Sequence, residues 1–258
     1  MIDAWLGIAA LLLGAIFGSF INALSYRFNT GRGMGGRSKC MTCGHTLRAI
    51  DLVPVLSFLF LRGKCRYCHA KISPQYPLVE IAAAGISLLT YLVHPAPAAY
   101  AFWLLVFLIL IFIVVYDMRH TVIPWSASGA LLVLALLSLF VSFDPPFSVF
   151  YPPLLSLIAG PILALPLFLF SAVSAGRWMG WGDSGLELSL GWLLGLTAGL
   201  TALVLAFWIG ALVGIALIIL KKGLTIKSEV PFAPFLVLGA LIVHFFHVDF
   251  FTTLPLLF

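Results

Sequence analysis

Apolar residues in this chain come in long blocks, not in short alternations. Blocks near residues 4–26, 77–94, 98–116, 126–143, 152–175, 184–200, 202–220 and 232–250 carry very few charges. Each is close to the ~20 residues that take a helix across the hydrocarbon core of a bilayer. The pattern predicts an all-α fold: a polytopic membrane helix bundle of about eight transmembrane helices. Pro161 and Pro166 interrupt the fifth block and predict kinks. The sixth and seventh blocks are barely punctuated, and the turn between them is expected near residue 201. The first block lacks the short apolar core and small-residue cleavage site of a signal peptide, so it reads as a retained span. There is no internal repeat and no low-complexity linker.

Residues 27–75 are the one long polar segment. The expected organisation is a first transmembrane helix (1–26), a cytoplasmic loop domain (27–75) and a transmembrane core (76–258). Composition agrees, with 62% hydrophobic and 9% charged residues. A soluble domain is roughly 45–50% apolar and about 25% charged, and could not hide this much apolar surface. A soluble enzyme, a disordered chain and a secreted disulfide scaffold are all excluded.

Charge then orients the bundle. The 14 Lys and Arg residues fall in four places: Arg27 to Lys71, Arg119, Arg177, and Lys221, Lys222 and Lys227. With eight spans and an external N-terminus, these are the four loops on one side. The opposite ends, around Asp3, residues 94–98, Asp144 and the expected turn at 201, carry no Lys or Arg. The positive-inside bias makes the basic side cytoplasmic. The net charge of +5 reads as a lipid-facing signature: basic loops meet anionic headgroups. Nucleic acid is not an expected partner.

All four cysteines lie in the polar segment, as Cys40-Met41-Thr42-Cys43 and Cys65-Arg66-Tyr67-Cys68. Two such pairs at this spacing suit a tetrahedral four-thiolate zinc site. Zinc would order a loop too short for its own apolar core. A reducing cytoplasm argues against disulfides. Four protein ligands leave no open position, so the zinc would be structural, with His45 and His69 beside it as surface residues or as supports for the ligands.

The nine acidic residues can be weighed one by one. Asp3, Asp144 and Asp249 read as solvated residues at external ends. Asp51 and Glu229 read as solvated or paired in the cytoplasmic loops. Glu80 is expected to pair with an Arg of the loop, and Glu187 to make a polar contact between helices. Asp117 and Asp183 stand apart. Asp117 closes a long apolar run, and Asp183 closes Gly180-Trp181-Gly182-Asp183 and opens the next span. An ionisable group at the edge of a span is expensive and marks a functional candidate. Both fall on the cytoplasmic side, where they can form a carboxylate pair sharing one proton. Gly180 and Gly182 permit close approach of backbone or substrate.

In combination these segments resemble the type IV prepilin peptidases, a family of GxGD aspartic proteases also described as leader peptidase/N-methyltransferases. The matching segments are Gly18-Ser19-Phe20-Ile21-Asn22 with Tyr26-Arg27, the two cysteine pairs, Leu61-Arg62-Gly63-Lys64, and Ile72-Ser73-Pro74-Gln75-Tyr76-Pro77. Further matches are Asp117 with Ile123-Pro124, Gly180-Trp181-Gly182-Asp183, and Pro231-Phe232-Ala233-Pro234-Phe235. The resemblance implies a bacterial inner (cytoplasmic) membrane enzyme. It implies Asp117 and Asp183 as catalytic, prepilins or pseudopilins as substrates, and cleavage of a basic leader on the cytoplasmic side. It also implies S-adenosylmethionine as a second cofactor in bifunctional members, for which Asn22, Arg27 and Glu80 are candidate residues. Gly185 stands where the family commonly has Lys, and Trp125 where an acidic or amide residue is frequent. Two other readings remain in competition: a catalytically impaired family member, and a membrane carrier that uses the Asp pair. The sequence sets no oligomeric state.

Overall fold

The computed structural model of the chain describes residues 3–30, 36–220 and 230–253. Among them, the eight apolar blocks become eight long helices. These are α1 (Ala4–Arg27), α3 (Gln75–Val93), α4 (Pro97–His120), α5 (Trp125–Phe140), α6 (Leu154–Ser174), α7 (Trp181–Leu194), α8 (Leu196–Leu220) and α9 (Ala233–Phe246). Among the described residues, short helices α2 (Leu56–Phe60) and α10 (Phe250–Thr253) and a 3-10 turn at Ala49–Leu52 complete the helical set. A two-residue antiparallel ribbon pairs Val141–Ser142 with Ser148–Val149. The all-α bundle architecture is as the hydropathy pattern predicts. Five helices, α1, α3, α4, α6 and α8, are long and apolar enough to cross a membrane. The other three are shorter: α7 has 14 residues and would span only about 21 Å at 1.5 Å per residue.

The chain divides into two compact units, Met1–Val115 and Tyr116–Phe258. In the first, α1 packs along α3. Gly14 and Gly18, four apart on α1, make this possible, because they share one face of a helix. A β-carbon on Gly18 would come within 2.8 Å of the Glu80 Cα, and one on Gly14 would collide with the Ala83 carbonyl oxygen. The Ser87 hydroxyl donates to the Ala10 carbonyl at 2.6 Å and lies 2.8 Å from the Tyr100 hydroxyl, tying α1, α3 and α4 together. The polar segment between α1 and α3 folds as two small knuckles, closed by single antiparallel bridges at Lys39–Thr46 and Lys64–Lys71.

In the second unit α7 is the centre. It packs against α5, α6, α8 and α9. Small residues again set the spacing: a β-carbon on Gly191 would lie 2.8 Å from the Gly160 Cα. Helix α6 runs on through Pro161 and Pro166. One boundary differs from expectation. The chain turns between α7 and α8 at Gly195, not near 201, and it does so with φ of 82°. Glycine adopts that left-handed conformation without penalty, which is why it ends helices. Thr201 lies inside α8, with its hydroxyl donating to the Thr197 carbonyl at 3.0 Å.

Candidate active site and metal centre

Asp117 lies in the last turn of α4 and Asp183 in the first turn of α7, both within the second unit. Both are buried, with 4% and 7% of their surface exposed. The two carboxylates lie within electrostatic reach of each other. Asp183 is the third residue of α7, and its carboxylate accepts a hydrogen bond from the backbone N–H of Gly180, the residue that caps the helix. The Asp183 N–H donates back to the Gly180 carbonyl at 3.2 Å. The arrangement resembles a capping box, with Asp183 reaching back as its Glu or Gln does. Asp117 accepts from the backbone N–H of Ala233, the first residue of α9. Its Oδ2 is buried and has no hydrogen-bond partner among the described residues. One carboxylate thus sits on each of two helix N-termini, where orphan N–H groups and the helix dipole favour negative charge.

The three glycines differ in what they do. Gly182 packs on Ile123, Gly180 approaches only the Asp183 carboxylate, and Gly185 faces the Ser128 hydroxyl across an ordinary 3.6 Å contact. Glu187, one turn beyond Asp183, is 2% exposed, and its Oε1 has no partner among the described residues. Two positioning groups carry no signal in the sequence. The buried Ser171 hydroxyl donates to the Met179 and Gly180 carbonyls at 3.1 and 3.2 Å and so holds the turn before Asp183. The Ala233 N–H is a main-chain group, visible in the sequence only as part of Pro231-Phe232-Ala233-Pro234-Phe235. Lys221, Lys222, Lys227 and Glu229 lie outside the described residues.

In the first unit the sulfurs of Cys40, Cys43, Cys65 and Cys68 all lie within 4.8 Å of one another. Cys40 and Cys68 Sγ are 3.8 Å apart. Thiolates bound to zinc at ~2.3 Å on tetrahedral corners would be separated by about 3.8 Å, so the cluster fits such an ion. The Cys43 backbone N–H holds the Cys40 thiol down to about 6. The Ala70 N–H favours the Cys68 thiolate, but burial and the three neighbouring sulfurs push Cys68 up to about 12. The Cys40 thiolate forms readily, and a cation in the cluster would favour the Cys68 thiolate as well. His45 does not join the cluster; its ring packs on Tyr67 at 3.7 Å.

Beside the cysteines, a cavity of about 840 Å³ opens between α1, α3 and the knuckles. Arg27 and Glu80 line it, as do Tyr26 and Tyr76, whose rings stack at 5.7 Å. Asn22 does not; its side-chain amide donates to the Tyr76 carbonyl at 3.0 Å and anchors α3. Glu80 accepts from the Val55 backbone N–H at 2.7 Å and from the Ser19 hydroxyl. Asp51 pairs with Arg66 at 2.6 Å. Burial opposes its ionisation, yet Arg66, the Arg48 N–H and the Tyr67 hydroxyl together hold its carboxyl below the usual range.

A multi-helix membrane bundle with a four-cysteine loop is thus the class of molecule at hand. Residues 12–94 match the Bacterial Peptidase A24 N-terminal domain. The chain is 31% identical to a prepilin leader peptidase/N-methyltransferase of Burkholderia pseudomallei over 274 residues, covering 95% of this chain and 87% of that one. It is 33% identical to the protein of that name from Dichelobacter nodosus, covering 78% and 68%. For the protein of that name from Bacillus subtilis, the identity is 31%, covering 91% and 92%. The chain belongs to the prepilin leader peptidase/N-methyltransferase family. No solved structure matches it.

Proposed function

We propose that the chain is an aspartic endopeptidase that removes the basic leader of prepilins or pseudopilins at the cytoplasmic face of the bacterial inner membrane. The observation that carries this reading is the pair of buried carboxylates, Asp117 and Asp183, brought together in one unit. The ionised member of the pair takes a proton from water, and the water oxygen attacks the scissile carbonyl carbon. The protonated member donates to the carbonyl oxygen as the tetrahedral species forms. Collapse breaks the C–N bond. The departing nitrogen takes a proton from the pair, leaving the leader as a carboxylic acid and the pilin as a free amine. Proton sharing resets because two close carboxylates cannot both ionise cheaply.

On this reading the chain is organised as 1–26, 27–75 and 76–258, with this chemistry in the last segment and a structural zinc in the middle one, held by the four cysteines. The relatives' names support a second activity, N-methylation of the new amine. The 840 Å³ cavity falls within the ~300–1,000 Å³ range of small-molecule sites. Arg27, Glu80 and the Tyr26–Tyr76 stack would hold S-adenosylmethionine there, while Asn22 supports the wall. When bound, that cofactor supplies an electrophilic methyl group.

The test is intact mass after incubating detergent-purified protein with a prepilin peptide that spans leader and apolar helix. Loss of the leader is expected from the unaltered chain. Asp117→Asn and Asp183→Asn should each slow cleavage by roughly 10²–10⁴-fold while the helical circular dichroism stays unchanged. Cleavage by either variant at the full rate would overturn the assignment. Ion flux in liposomes without cleavage would favour a carrier.

A further inference from the structure

The segment between the two cysteine knuckles leaves a row of large apolar side chains uncovered. Ile50, Val53, Leu56, Leu59 and Phe60 are exposed, Phe60 to 83%. This is not how a water-facing loop stays soluble: contiguous apolar surface of this kind marks an interaction site. The opposite face of α2 is occupied, since Ser57, Phe58 and Leu61 line the 840 Å³ cavity. The segment is therefore two-sided, with one face turned to the fold and one left open.

Its depth is fixed by one hydrogen bond. The Val55 N–H donates to Glu80 Oε2 at 2.7 Å. Glu80 is the sixth residue of α3, about 8 Å along its axis from the first. Helix α3 is one of the five of spanning length, and Leu78 and Ile81, flanking Glu80, are 63% and 54% exposed. Side chains exposed at that level of a spanning helix face lipid. The open face of the loop segment is thus held at the height where the bilayer begins. Arg48, Arg62 and Lys64 flank it along the chain and are exposed, which suits anionic headgroups above an apolar layer.

We propose that residues 49–60 dip into the cytoplasmic leaflet, seating Leu56, Leu59 and Phe60 among acyl chains and the flanking cations against anionic headgroups. The loop domain is then a membrane-docked element, held by lipid from below and by the cysteine cluster from above. Its two anchors serve different ends: the knuckles shape the cavity wall, and the lipid contact fixes the tilt of that wall over the bilayer.

A photoreactive benzoylphenylalanine at position 60, 56 or 41 of the full chain in phosphatidylglycerol nanodiscs tests this. Met41 is an exposed side chain on the first knuckle and serves as the reference. Lipid adducts by intact mass are expected at 56 and 60 and at background at 41. Phe60→Ser is expected to speed amide exchange of residues 49–60 about tenfold in the same nanodiscs, the loss expected for one large apolar side chain returned to water. No lipid adduct at 56 and 60, or capture of a second copy of the chain instead, would overturn the proposal. So would equal yields at all three positions, or unchanged exchange in Phe60→Ser.

Discussion

Gly182 packs directly on the side chain of Ile123: a β-carbon on Gly182 would lie 2.8 Å from the Ile123 Cβ. Real β-carbons do not approach that closely, so the first turn of α7 rests on the segment that follows Asp117 only because residue 182 is glycine. The contact joins the two motifs that carry the buried carboxylates. Gly182→Ala should force the two segments apart. Overpacking of this kind costs about 1–3 kcal/mol. A carboxylate displaced by about 1 Å can lose roughly 10² in rate. The expected outcome is a lowered Tm and a fall in leader cleavage of that order. Gly180→Ala should be milder, since Gly180 has ordinary extended angles and faces only the Asp183 carboxylate.

Gly185, three residues on, behaves in the opposite sense. A β-carbon there meets only the Ser128 hydroxyl, at 3.6 Å. Glycine in a helix interior is less favourable than alanine by roughly 0.5–1 kcal/mol. Gly185→Ala should therefore raise the Tm, in contrast to Gly182→Ala in the same helix. Gly185→Lys should also fold, placing a cation at the position where the family resemblance leads one to expect Lys. Prepilin cleavage by this variant and by the unaltered chain separates two readings. Equal rates mean that the glycine is a tolerated departure, and activity only in Gly185→Lys means an impaired family member.

Much of this was legible before any coordinates. Hydropathy blocks alone located eight helices, because each long apolar run has one stable way to satisfy its backbone in lipid. The cysteine spacing was equally plain, since four thiolates on two tight turns suit one ion. The turn at Gly195 was not legible: residues on both sides are apolar and barely punctuated, and Thr201, at the expected turn, bonds to its own helix instead. Nor was the role of Ser171 or of the Ala233 N–H, because each acts across distant sequence on a backbone group. Glu80 looked like a partner for a cationic side chain and instead holds a loop N–H. Asp249, read as solvated, accepts from Thr201 and from the Phe251 N–H. Such partners depend on packing, which no local pattern encodes.

Asp51 gives the loop domain a pH limit. Its folded carboxyl titrates below the usual range because Arg66, Arg48 and Tyr67 favour the charged form over burial. A depressed folded value means that the unfolded chain binds the proton more tightly. The stabilisation is thus fully present above the ordinary carboxylate range near pH 4, and is lost as pH falls through the lower folded value. Amide exchange of residues 48–67 should be flat from neutral pH to about pH 5, after correction for intrinsic rates, and should quicken under stronger acid. Asp51→Asn should remove that acid step and quicken exchange at neutral pH, because the Arg66 ion pair is gone.

Removing the metal should divide the two activities. Cys40 and Cys65 line the 840 Å³ cavity, whereas Asp117 and Asp183 belong to the other unit. A loop without its ion loses the cross-link that orders it, since so short a segment has no core of its own. Cys65→Ser should lower zinc, measured by elemental analysis, from about one per chain to near zero, the four-ligand shell being broken. Limited proteolysis should then cut within residues 36–73. Methyl incorporation from S-adenosylmethionine should be lost, while leader cleavage by the Asp pair continues. Loss of both activities to the same degree would show that the loop also supports the peptidase, and retention of both would remove the cavity as the methyl-donor site.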